Sequence, residues 1–260
     1  MVSEPSAPYL DVLRELGLLP PTELSTFVVG STARGWAHTT SDVDLVVVST
    51  NQFVDDRLMA LPVPLDPGAV PVAPFNHDGR RWEVKYWLDD QVDQMFDKIT
   101  WATFETDRQV GSRLSPVERL FFSRLLYCIP MSGREWIDRR RQQVADSAFR
   151  SILISQALAT ADKAIEAAVG QLAANNVEDA VLLARTAFES AMEALVFDRG
   201  DYEAGPKWRA RRFRAAAPAL VTFEQYWSVQ SMRTYDPAAP DKWVDMVIEL
   251  CQAVSMEIEL

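Results

Sequence analysis

The rhythm of hydrophobic and polar positions changes part-way along the chain. Up to about residue 100, apolar residues come in short valine-rich runs separated by prolines. Over residues 115–200, alanine, leucine and arginine recur at helical spacing. Residues 7–17 read as an opening helix, closed by Gly17 and the Pro20-Pro21 pair. Thr26-Phe27-Val28-Val29 is a β-type run that ends at Gly30. Asp42 to Ser49 alternates briefly and ends in a valine block, the pattern of a strand buried on at least one side. Residues 52–61 are expected to form a short helix. Pro62, Pro64, Pro67, Pro71 and Pro74 restrict the following stretch to a loop or an edge strand, because proline has no N–H for a ladder. Asp78-Gly79 is a hairpin turn signal. It leads into residues 80–87, where Trp82, Val84 and Tyr86 share one face and Glu83, Lys85 and Trp87 the other.

In the second half, Ser115-Pro116-Val117-Glu118 has the form of a capping box with proline in the first turn. A helix is expected from there to about Cys128, stopped before Pro130. Residues 144–169 read as one long helix ending near Gly170. Asn176 is placed to cap the next, in which Val181, Ala184, Phe188, Ala191 and Leu195 recur at helical spacing and Gly200 sits at the C-terminal cap. Two long helices joined by a short loop predict a bundle, and a last helix is expected from Lys242 onward. The change of texture puts a boundary near Gly111-Ser112-Arg113-Leu114. The fold class expected is α+β, with a small mixed-sheet domain over residues 1–110 and a helical bundle over residues 111–260.

Composition narrows the chemistry. The 260 residues are 48% hydrophobic and 24% charged, enough to bury a sizeable core. Two cysteines, Cys128 and Cys251, and two histidines, His38 and His77, supply neither a disulfide framework nor a soft metal cluster. Any metal here would be a hard cation held by carboxylates. The opening Met-Val-Ser-Glu-Pro has no basic or apolar signal region, and no apolar run approaches a membrane span, so a cytoplasmic location is expected. The formal charge of −11, from 37 acids against 26 bases, repels phosphate backbones and argues against nucleic acid as a partner. A small, locally basic pocket remains compatible with it.

The chemistry is concentrated in residues 28–48. Gly30-Ser31 follows a strand and precedes a candidate helix, where N–H groups lack partners and glycine lets a phosphate approach. Asp42 and Asp44 lie two apart, so on a strand both point to one face with Cα atoms about 6.5–7 Å apart. Two carboxylates at that spacing can share a cation, and Glu83, on a later strand, can supply a third. An all-carboxylate set selects Mg²⁺ or Mn²⁺, and Mg²⁺ with few protein ligands completes its shell with substrate phosphates. The constellation therefore predicts a nucleoside triphosphate, attacked in line at its α-phosphate.

Gly-Ser, ten residues, then Asp-x-Asp resembles the signature of the DNA polymerase β-like nucleotidyltransferase superfamily. The fuller form, Gly30-Ser31-x-Ala33-Arg34-Gly35 with Ser41-Asp42-Val43-Asp44-Leu45, is similar to its minimal and antibiotic-modifying branches, of the kanamycin, streptomycin/spectinomycin and lincosamide types. The resemblance implies a mixed sheet flanked by helices, with the third acid, at Glu83, on a later strand. It also implies a C-terminal helical domain, an active site in the cleft between the domains, and AMP transfer from ATP to a hydroxyl of a small molecule, an antibiotic being one candidate. Relatives send a basic residue from the helical domain to the triphosphate, which Lys207, in Gly205-Pro206-Lys207-Trp208, is placed to match. In some relatives a helical-domain acid is the general base, a role open to Glu178, Asp179 or Glu189.

The set of nucleotide-binding candidates is Gly30, Ser31, Arg34, Ser41 and Lys207. The set of catalytic and metal-binding candidates is Asp42, Asp44 and Glu83. Each has an ordinary reading too. Asp42 and Asp44 can cap a loop, Glu83 can pair with Lys85, Arg34 can pair with a surface acid, and Lys207 can be solvated. The arginine run 139–141 reads as a solvated helix face. The chain is expected to act as a monomer or homodimer. Two other functions stay open: adenylylation of a partner protein, as in toxin–antitoxin nucleotidyltransferases, and nucleotide binding without catalysis.

Overall fold

The structure, a computed structural model, describes residues 7–106 and 114–260. It divides into two compact units, residues 1–148 and 149–260. That division lies later in the chain than the expected one at 110/111, most of whose signal, Gly111 to Arg113, falls outside the described residues. The elements between 115 and 148 belong to the sheet, not to the bundle.

The first unit contains α1 (Ala7–Glu15), β1 (Glu23–Val29), α2 (Gly30–Ala33), β2 (Val43–Ser49), β3 (Met59–Pro62), β4 (Ala69–His77), β5 (Arg80–Leu88), α3 (Asp89–Asp97), α4 (Trp101–Thr106), α5 (Pro116–Tyr127), β6 (Ile129–Ser132) and α6 (Arg134–Asp146). The six strands form one sheet in the order β3-β4-β5-β2-β1-β6. β2 and β5 run parallel, and the other neighbours are antiparallel. The mixed sheet and α+β class are those expected. On one face Val43, Leu45, Val47, Trp82, Val84 and Tyr86 form a core with Leu13 and Leu18, the alternation read from the sequence. The opposite face is covered in part by helices: the Trp87 ring lies 5.0 Å from Phe121 of α5, and Phe27 lies 6.4 Å from Trp136 of α6.

Two expectations for the middle of this unit fail for physical reasons. Residues 52–61 are not a helix. Arg57 turns back to chelate Asp55 with its guanidinium, and residues 59–62 join the sheet as β3. β4 is neither a loop nor the outermost strand, although it contains Pro71 and Pro74. The pairing is staggered: β3 opposes only residues 69–72, and β5 opposes residues 72–77. Pro71 therefore has only β3 beside it, and Pro74 only β5, so each has an unpaired side that a nitrogen without N–H can face. The Asp78-Gly79 turn forms as expected, with φ of 49° and 71° at the two residues.

The capping box of α5 also forms. Ser115 Oγ accepts from the Glu118 N–H, and Glu118 Oε2 accepts from the Ser115 N–H at 2.6 Å. Glu118 is fully buried and paired with Lys98. The expected helix 144–169 is two helices broken at Ser147-Ala148. The arginine run is only partly a solvated face: Arg139 is exposed, but Arg140 is buried between Asp89 at 2.5 Å and Asp93 at 2.6 Å. α3, α4 and β6 carried no clear sequence signal.

The second unit comprises α7 (Phe149–Ala173), α8 (Val177–Asp198), α9 (Arg209–Ala216), α10 (Phe223–Gln230) and α11 (Pro240–Glu257). α7 and α8 are joined by residues 174–176, with Asn176 at the cap position. Small residues at Ala161, Ala164, Ala168, Ala180, Ala184 and Ala187 are buried between the helices and allow them to approach closely. Phe213 stacks on Tyr226 at 4.1 Å. Gly170 lies inside α7, and Gly200 follows α8 at φ 84°, as expected of a cap. No described helix is long and apolar enough to cross a membrane.

Two substitutions separate the layers of the α5 start. Ser115→Ala removes a cap and should cost about 1 kcal/mol. Glu118→Ala also strands Lys98 and empties a buried position, and should cost about 3 kcal/mol or more. Urea unfolding monitored by tryptophan fluorescence measures both, and equal losses would mean that the Lys98 pair adds nothing.

Candidate active site

The sheet register brings the candidate residues into one row. Val29 stands opposite Asp44 across β1 and β2, Asp44 opposite Glu83 across β2 and β5, and Glu83 opposite Pro74 across β5 and β4. Aligned residues of neighbouring strands project to the same face. Asp44 and Glu83 thus sit side by side on the face opposite the Leu13–Trp82 core, half-buried.

Gly30 follows Val29 at the end of this row, and any other residue there is strained. Its φ is +69°, and a Cβ there would lie 2.4 Å from Asp44 Oδ2. The Asp44 carboxylate rests against the bare Cα of the turn that opens α2. Ser31 is buried beside it, and Ser31 O accepts from the Trp36 N–H at 2.8 Å, closing the turn. N–H groups of a first helical turn have no acceptors within the helix. Ser41 is also buried: its Oγ accepts from the His38 N–H at 2.9 Å, and its carbonyl accepts two bonds from Arg80 at 3.1 and 3.2 Å. Its hydroxyl therefore shapes the loop before β2. Arg34 stacks its guanidinium on Tyr127 and Trp36, 4.2 and 5.0 Å from the ring centroids.

Cations surround the two acids. Lys85 donates to Glu83 Oε1, and Arg81 lies 4.0 Å from Glu83 Oε2. Arg124 of α5 lies 3.9 Å from Asp44 Oδ1. Burial pushes the Glu83 carboxyl up, but the Lys85 hydrogen bond and the charges of Lys85, Arg124 and Arg81 outweigh it and hold the group below its ordinary value. Glu83 is accordingly a carboxylate at neutral pH. The buried Nε of Arg124 has no hydrogen-bond partner, and neither has the hydroxyl of Thr32 in α2.

The three expected carboxylates do not close into a metal shell in this arrangement. Among the described residues, no three His, Cys, Asp or Glu side chains stand together as one. Asp42 precedes β2 and is exposed, and Glu83 is drawn toward Lys85. Glu83 thus stands beside Asp44 and is at the same time paired with Lys85. The donor types nonetheless fit a hard divalent ion with a polyanion: carboxylates without nitrogen or sulfur, a turn kept bare for close approach, and a guanidinium with a donor unspent.

In the second unit Lys207 is exposed, with Nζ 4.6 Å from the centroid of the Trp208 ring. The neighbouring arginines are not a free basic patch. Arg212 is buried against Asp201 at 3.2 Å and Glu193 at 3.5 Å, and Arg209 pairs with Glu189 at 2.8 Å. Glu189 also accepts from Gln230, so this candidate base is engaged, whereas Glu178 and Asp179 are exposed in the first turn of α8. Sequence reasoning missed Arg124 altogether. It lies far along the chain in an unremarkable helix, and only folding brings it to Asp44.

The first unit is thus a mixed sheet whose Gly-Ser turn abuts an Asp-x-Asp strand. Residues 10–122 match the family model of the nucleotidyltransferase domain. This match, over somewhat less than half of the chain, supports the nucleotidyltransferase superfamily, whose members act on nucleotides and generally use divalent metal ions. Among solved structures, the chain is similar to a nucleotidyltransferase-like protein from Exiguobacterium sibiricum 255-15. The TM-score is 0.51 at 11% identity, covering 95% of this chain and 73% of that one. At that identity the likeness speaks for the fold alone. No curated protein matches the sequence.

Gly30→Ala and Gly35→Ala form a matched pair. Both glycines have positive φ, but a Cβ on Gly35 would meet nothing within 4 Å. Gly35→Ala should cost about 1 kcal/mol, the backbone strain alone, whereas Gly30→Ala should cost about 3 kcal/mol because it also displaces Asp44. Urea unfolding of the two variants measures the difference, and equal losses would dissociate Gly30 from Asp44.

Proposed function

We propose that the protein transfers a nucleoside monophosphate, AMP from ATP in the first instance, to a hydroxyl group of a small molecule and releases pyrophosphate. The single observation that carries this reading is that sheet register sets Asp44 beside Glu83 while the bare Gly30 turn lies against the Asp44 carboxylate. Asp42, Asp44 and Glu83 would hold Mg²⁺ or Mn²⁺, which supplies positive charge to the phosphates and acidifies the acceptor hydroxyl.

The chain's own groups do the rest. The N–H groups of the Gly30-Ser31 turn receive phosphate oxygens, and Ser41 shapes the loop that presents Asp42. Arg124, with a donor to spare, turns from Asp44 to the triphosphate. Glu83 would give up its bond to Lys85 to hold a divalent ion, leaving that ammonium free to face the nucleotide. Lys207 is the basic residue that the family resemblance assigns to the departing pyrophosphate, and Arg34 orders the turn through its stacking on Tyr127.

Asp42→Ala and Asp44→Ala should each abolish pyrophosphate release while circular dichroism stays unchanged. Retained turnover would end the metal-site reading. Lys207→Ala should weaken turnover tenfold to a hundredfold, the worth of a charge-assisted contact of about 1.5–3 kcal/mol. Steady-state kinetics with varied triphosphate measures it, and KM and kcat both within about twofold of wild type would leave Lys207 a surface charge.

The Lys85–Glu83 pair favours one second reading, a module that binds triphosphate through its cations and does no chemistry. Calorimetry decides between them. The transfer reading requires ATP to bind far more tightly with Mg²⁺ than with EDTA, and equal binding would favour the module.

A further inference from the structure

The row that holds Asp44 and Glu83 continues into a depression on the side away from Gly30. β3, β4 and β5 line it with Met59, Val72 and Pro74 and with Arg81, Glu83 and Lys85, around a volume of about 290 Å³. The lining arises from register. Pro74 opposes Glu83, Val72 opposes Lys85, and Met59 opposes Val72, so an apolar wall and a charged rim share one sheet face. Met59 is largely exposed, at 63%, although it is a bulky apolar side chain.

In-line displacement at the α-phosphorus puts the incoming oxygen and the leaving pyrophosphate on opposite sides. With the pyrophosphate at the Gly30-Ser31 turn, the incoming hydroxyl lies on the Glu83 side, where the depression begins. Charge then selects the rest of the molecule. Glu83 is the one acid among the lining residues, against Arg81 and Lys85, and a divalent ion would occupy it. A polycation would meet two like charges and an apolar wall.

We propose that this depression is the acceptor subsite, and that it takes a small hydroxylated molecule with an apolar body and an anionic group. The proposal rests on the transfer reading for its chemistry and on the lining for its selectivity. Its small volume, near the lower end of the ~300–1,000 Å³ of ligand pockets, suits a single-ring acceptor.

Three probes of one shape and three charges test it: 4-hydroxyphenylacetate, tyrosol and tyramine. Each is titrated into the full chain with Mg²⁺ and a non-hydrolysable ATP analogue, and binding is read by saturation-transfer NMR. The expected order is acetate, then tyrosol, then tyramine, with about fivefold to tenfold between the extremes. Arg81→Glu should invert that order, and Met59→Asp, at an exposed position, should weaken the acetate and the neutral probe together. Equal binding of all three, tighter tyramine, an order indifferent to Arg81→Glu, or no binding at about 10 mM would each overturn the subsite. Pyrophosphate release with ATP is followed in parallel. Charge-ordered binding without release would keep the subsite and sink the transfer reading, whereas release with no charge order would do the reverse.

Discussion

The site depends on one contact, the Asp44 carboxylate lying against the bare Cα of Gly30. A side chain on the glycine would force them apart: any Cβ at residue 30 would overlap Oδ2. Because Val29 is register-locked to Asp44, and Asp44 to Glu83, this contact also fixes where the α2 turn begins relative to β5. The rest of the first unit holds that row still. α1 closes one face of the sheet, and α5, pinned by the buried Glu118, supports the other and delivers Arg124.

The charges are arranged on the same economy. Two half-buried acids on one sheet face would repel each other, and Lys85 and Arg124 offset that repulsion. Arg124 is not tied up completely, since its Nε keeps an unused donor. A similar scheme recurs in the second unit, where Arg212 and Arg209 are set against Asp201, Glu193 and Glu189. There the Arg212 pairs are more fully enclosed, Arg212 being buried outright, and they fasten the segment that precedes α9 to α8.

Legibility in the sequence tracked the range of the forces. Local signals were reliable: the Asp78-Gly79 turn, the Ser115–Glu118 box, the two faces of residues 80–87 and the Gly200 cap all form where their chemistry puts them. So did the Gly30 turn and the Asp44 strand, whose spacing is itself local. What failed was decided by partners distant in sequence. β3 exists because β4 offers it a ladder, Arg140 is buried because Asp89 and Asp93 lie across from it, and the 115–148 segment joins the sheet through β6. The prolines of β4 misled because the rule against them assumes a strand paired along its whole length on both sides. Arg124 had no local signature, and no pattern of spacing would have linked it to Asp44.

The staggered pairing around β4 has a consequence for how the molecule keeps to itself. An open sheet invites strands from other copies, since its outer rows of N–H and C=O groups are templates for further pairing. Here the exposed stretches are interrupted by residues that have no N–H to offer: Pro62 in β3, Pro74 where β4 runs past β3, and Pro130 in β6 at the far edge. A sheet left open on one face for small molecules is thereby made a poor template for its own aggregation.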